Sequence, residues 1–154
     1  INYKNILLET AVSAIACDGD IDEREIKALR NIEKNSPYFS SEDLSNSLEK
    51  SLKKCSTDIA KFQKSIFNKI KKGKLNLSQE LTLMEISLRI IAADDKEEKA
   101  EKEFIIELRK CLSISDLIIF QRFGKIDYLG IFDLEDNFVD FKNKQDPSSQ
   151  LDTK

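Results

Sequence analysis

The sequence predicts an all-α protein: a single helical bundle of about seven helices with pseudo-twofold repeated helix pairs. Three observations carry that reading. Glycine and proline, the residues that interrupt helices, number only 4 and 2 in a chain of 154 residues. Apolar residues recur at helical spacing, with no competing strand alternation before residue 125. Residues able to cap helices stand between most of these apolar runs. The length suits one domain with a sizeable core.

The first helix is expected over Tyr3 to Cys17, where Ile6, Leu7, Val12 and Ile15 repeat among small alanines. "DGDI" breaks it at Gly19, and a second helix runs from about Asp22 to Lys34 with Ile26, Leu29 and Ile32 on one face. Pro37 ends that helix, because the residue before a proline is pushed out of helical geometry. Ser40 or Ser41 caps a third helix carrying Leu44, Leu48 and Leu52. Thr57 starts a fourth, with Ile59, Phe62, Ile66, Phe67 and Ile70, and Gly73 closes it. Ser78 caps a fifth through Leu81, Met84, Leu88 and Ile91. A sixth carries Phe104, Ile105, Leu108 and Leu112, and Ser113 or Ser115 opens a seventh over "DLIIFQRF". Residues 1–125 form the helical domain, 126–145 a C-terminal extension read as a helix or packed arm, and 146–154 a polar, disordered tail.

Composition narrows the chemistry. The net charge of −3 names no partner, but its distribution is uneven. Residues 18–25 hold five acids and one arginine, whereas residues 61–74 hold six lysines and no acid. Histidine is absent, which removes the usual neutral-pH base and the commonest transition-metal ligand. The three cysteines, Cys17, Cys55 and Cys111, form no C-x-x-C pair and read as thiols in a reducing, cytoplasmic setting. No stretch approaches the length of a membrane span, and Glu9 interrupts the opening apolar run, a poor signal-peptide pattern.

The chain echoes itself. "AIACDGDIDEREIKAL" aligns with "IIAADDKEEKAEKEFI", placing Asp18 on Asp94 and Glu25 on Glu101. Each copy reads as apolar helix, acidic bend, new helix. Asp18 to Glu25 matches the second half of an EF-hand loop, but that loop's first and third ligand positions would be Ala14 and Ala16, which carry no side-chain oxygen. A true EF-hand is excluded. A capping box, Asp22 with Glu25, explains the acids that open the second helix but not Asp18 and Asp20 on the bend. Helix caps and a cation site are therefore both open on these residues alone.

The pattern "A-x-D-G-x-I-D-x-x-E", followed later by "A-A-D" and a glutamate seven residues beyond its aspartate, resembles the TerB-like tellurite-resistance family, whose module also occurs in DjlA-type co-chaperones. The resemblance covers about residues 4–123. It implies an all-helical bundle and an acidic site for a divalent cation where the two bends meet. The positions it carries over are Asp18, Asp20, Asp22 and Glu25 in the first copy, and Asp94, Glu98 and Glu101 in the second. Lys96 departs from the pattern at an expected acidic position. Oxygen-only ligands favour Ca²⁺ or Mg²⁺.

The expected function is a non-catalytic module that binds a divalent cation and contacts other proteins in a stress or tellurite-resistance setting. One alternative is a pure interaction domain whose acidic bends only cap helices. Another is a metal-dependent hydrolase, which is disfavoured because the chain has no phosphate loop and no nucleophile–base pair. The basic stretch "KFQKSIFNKIKKGK" places Lys64, Lys71 and Lys72 as a weak interaction candidate. It reads as a solvated lysine face on a core helix rather than a nucleic-acid or anionic-membrane surface.

Overall fold

The computed structural model describes residues 2–35, 44–93 and 99–132. Seven α-helices occupy most of them: α1 (Tyr3–Ala16), α2 (Glu23–Asn35), α3 (Leu44–Thr57), α4 (Ile59–Lys72), α5 (Leu77–Ala92), α6 (Lys99–Lys110) and α7 (Asp116–Phe123). A 3₁₀ turn follows at Asp127–Leu129. The sole strand-like pairing among the described residues is an isolated antiparallel bridge between Ile126 and Ile131. The all-α expectation holds. The predicted cap of α3 at Ser40 or Ser41, and the chain beyond residue 132, lie outside the described residues.

The chain divides into two compact units, Ile1–Ser113 and Ile114–Lys154. In the first, α1 is the central element and packs against α5, α3 and α4. Nearly every residue from Ile6 to Ala16 is buried, the signature of a helix surrounded on most sides. That position requires its polar residues to be small or engaged. The Thr10 hydroxyl donates to the Ile6 carbonyl at 2.7 Å. The half-buried Glu9 accepts from Lys69 Nζ of α4 at 2.8 Å. Helices α2 and α6 both pack on α5, and α3 packs on α4.

The sequence repeat is a structural repeat of helix pairs. Helices α1 and α5 end at Ala16 and Ala92, and α2 and α6 begin at Glu23 and Lys99, all at the offset that relates Asp18 to Asp94. Burial repeats at the same offset: Leu7 with Leu83, Leu8 with Met84, Leu29 with Ile105 and Ile32 with Leu108 are buried in both copies.

Two helix starts differ from expectation. Asp58, not Thr57, caps α4, its side chain accepting the Lys61 amide, while Thr57 ends α3. Asn76, not Ser78, caps α5 in a reciprocal capping box with Gln79. Gln79 returns a side-chain oxygen to the Asn76 amide at 3.0 Å, which Ser78 has no partner to match. Of the two candidates for α7, Ser115 is the cap.

A buried carboxylate fastens the end of α6 to the start of α5. Glu80 accepts the Ser113 amide at 2.9 Å and its hydroxyl at 3.2 Å. Glu80→Ala would leave that amide without its charged acceptor. The expected loss is about 2 kcal/mol, read as a lower urea midpoint with an unchanged denaturant slope.

Candidate functional site at the acidic bends

The first bend is built by the chain leaving α1. Cys17 is the C-terminal cap of α1, and the Gly19 amide donates to the Ala16 carbonyl at 3.0 Å. Gly19 has φ +89°, a left-handed geometry that glycine adopts without the strain a Cβ brings. Asp18 Oδ1 accepts the Asp20 amide at 3.0 Å, which closes a local turn. Asp22 Oδ1 accepts the Arg24 amide at 2.8 Å, and the Arg24 guanidinium reaches both Asp22 oxygens at 3.2 and 3.0 Å. Asp22 therefore acts as a helix cap.

Glu25 behaves differently. It is 1 % exposed, on the same face of α2 as Leu29 and Ile32. Its repeat partner Glu101 is also 1 % exposed, one turn before Phe104 and Ile105 on α6. Each glutamate lies in the first turn of its helix, where the positive end of the helix dipole favours a carboxylate. Capping accounts for Asp22 but not for the burial of two equivalent glutamates, since a buried charge is costly unless compensated.

The negative charges of both glutamates bear on one thiol. The Cys17 pKa is pushed far above the ordinary thiol range, first by burial and then by the negative charges of Glu101, Asp18 and Glu25. The end of α1 thus feels acids of both repeats. Asp20 on the same bend is exposed. Asp94 and Glu98 lie outside the described residues. Among the described residues, no three Cys, Asp or Glu side chains are grouped so as to hold a metal ion.

The thiols carry a pH signature. Burial also raises Cys55, from 9.0 to about 11, and raises Cys111. A folded thiol with a raised pKa keeps its proton while the unfolded thiol loses it. This contribution to stability is therefore complete below about pH 8.5 and falls as pH rises. The unfolding free energy, read from urea melts, should decline above about pH 9, by up to about 1.4 kcal/mol per pH unit for each thiol. Cys17→Ser should flatten the decline relative to its own value at pH 7; an unchanged profile would contradict this account of Cys17.

The family model described as tellurite resistance protein TerB matches residues 7–119, a span that includes both bends and six of the seven helices in full or nearly so. The chain belongs to the TerB family. TerB is generally not a known enzyme family. No curated protein and no solved structure matches the chain. No helix among the described residues is long and apolar enough to cross a membrane. The lysines singled out in the sequence, Lys64, Lys71 and Lys72, are exposed on α4, away from its buried face of Phe62, Ile66 and Ile70. Within the TerB span, sequence reasoning missed Glu80. Its place on the buried face of α5, one turn before Leu83 and Met84, was the available signal.

Proposed function

We propose that this TerB-family chain is a non-catalytic module that binds a divalent cation between its two acidic bends and contacts partner proteins in tellurite resistance or a related stress response. The carrying observation is the pair of buried, repeat-related glutamates, Glu25 and Glu101, whose charges bear on Cys17 together with Asp18. A cation bound among these like charges would relieve their mutual repulsion. The donors are hard carboxylate oxygens, so Ca²⁺ or Mg²⁺ is the expected ion. Glu25 and Glu101 would supply two of its ligands, with Asp94 and Glu98 as the second bend's contribution and Asp18, Asp20 and Asp22 as the first bend's. A cytoplasmic setting fits the three free thiols.

Calorimetric titration of chelator-treated protein with calcium and then magnesium tests the reading. Saturable heat with one of them, lost when Glu25 and Glu101 are both changed to Gln, is expected; no heat from either overturns it. A second reading, an interaction domain whose bends only cap helices, is favoured by the Asp22 contact to the Arg24 amide. It predicts no cation response.

A further inference from the structure

Glu25 and Glu101 are each 1 % exposed, so an ion from solvent reaches them only if a helix that carries one of them moves. Both lie in the first compact unit, on α2 and α6, and both helices pack on α5. Compared position by position at the repeat offset, the two helices are not held equally.

Helix α6 is anchored along its length. Phe104 is buried, and its ring centroid lies 5.6 Å from that of Phe67 on α4. At the equivalent position α2 has Ala28, with no ring to offer. Just beyond α6, the peptide group joining Leu112 to Ser113 is held at both polar ends. Arg109 Nη1 donates to the Leu112 carbonyl at 3.3 Å, and Glu80 accepts the Ser113 amide at 2.9 Å. The first repeat excludes this clamp by composition. Pro37 stands in place of Ser113 and has no amide hydrogen, and Lys4 stands in place of Glu80 and cannot accept. The reverse exchange, Ile26 in place of Lys102, gives α2 a side chain that is only half-buried. Among the described residues, the buried apolar side chains of α2 are Leu29 and Ile32, whereas α6 buries Phe104, Ile105 and Leu108.

We propose that α2 is the gate of the acidic site: it swings out to admit the ion, while α6 stays in place and holds Glu101 preset. Opening α2 uncovers the smaller apolar face and returns the Glu25 charge to water. Opening α6 uncovers a larger face, parts two aromatic rings and breaks a clamp to a charged acceptor. The bend that carries α2 also contains Gly19, which has more backbone freedom than Asp95 at the same place in the other bend. Glu80 and Phe67 are thus positioning residues, since they act on the site by fixing α6. The gate rests on the cation reading for its purpose, but the inequality of the two helices is measurable without any ion.

The test is native-state hydrogen exchange of the full chain, read helix by helix with chelator present. Corrected for intrinsic rates, α2 amides should exchange about tenfold or more faster than those of α6. Calcium, or magnesium in its place, should then slow exchange in α2 more than in α6. Glu80→Ala breaks the clamp, and Phe67→Leu, a milder change, removes the ring contact. In each, α6 should come to exchange faster than the central α1, whose amides report global unfolding. The proposal is overturned if α6 exchanges as fast as α2 without cation, or if the ions protect α6 and not α2. It is also overturned if both variants speed α6 and α1 equally, because Glu80 and Phe67 would then serve overall stability alone. Protection of neither helix by either ion would overturn the cation reading and the gate with it. The cation-free comparison tells that outcome apart from a failure of α2 to open.

Discussion

Calcium at about a hundred times its dissociation constant should raise the stability of the chelator-treated protein by about 2.7 kcal/mol. For a chain of this size that corresponds to roughly 5 to 10 °C in melting temperature. The size follows from linkage: an ion that binds only the folded chain stabilises it by RT ln(1 + [L]/Kd), whatever the details of its coordination. The double variant Glu25→Gln, Glu101→Gln should abolish the increment. Without cation it should cost little, because Gln keeps the shape and hydrogen-bonding capacity while two buried charges are removed. Asp18→Asn with Asp94→Asn should likewise lose the increment and keep the turn, since Asn is a good turn residue. Asp22→Ala should do the reverse, costing about 1 kcal/mol as a lost cap whether or not cation is present. If millimolar calcium, magnesium and manganese all leave the melting temperature unchanged, the acidic bends are caps and the cation reading is wrong.

Helix existence was legible because it rests on periodicity, and each apolar stripe in the described residues was readable from spacing alone. Helix starts were harder. "STD" before α4 and "NLS" before α5 each offer more than one capping side chain. The choice between Asn76 and Ser78 was settled by whether a residue three positions on could return the hydrogen bond, and Gln79 does. The site was legible as residue types but not as burial. Glu25, Leu29 and Ile32 share a helical face, so an acid on that stripe was a signal of its own, stronger than its place in a capping pattern. Glu80 and Glu101 carry the same signal. What spacing could not give was the partner: Ser113 meets Glu80 from 33 residues away, and Cys17 receives the field of Glu101 from the other repeat.

The repeat also predicts a matched pair of large losses. Leu7 and Leu83 occupy equivalent positions on α1 and α5, which pack against each other, and both are 0 % exposed. Truncating either to Ala removes buried methyl groups and leaves a cavity that a close-packed surround fills only in part. A loss of about 3 kcal/mol is expected for each, a large share of the roughly 5 to 15 kcal/mol that holds a domain of this kind together. Urea unfolding followed by circular dichroism should place the two variants at similar, lowered midpoints with the slope unchanged. A loss below about 1 kcal/mol at either position would mean that the α1–α5 seam is not the core. The calcium increment gives these variants a second use. Leu7 lies about 15 Å along α1 from Cys17, at 1.5 Å per residue, far enough for independent effects to add. Leu7→Ala should therefore start from a lower baseline yet gain the same stabilisation from calcium as the unaltered chain. If calcium stabilises Leu7→Ala markedly less, ion binding is coupled to the packing of α1 along its whole length and is not confined to the bends.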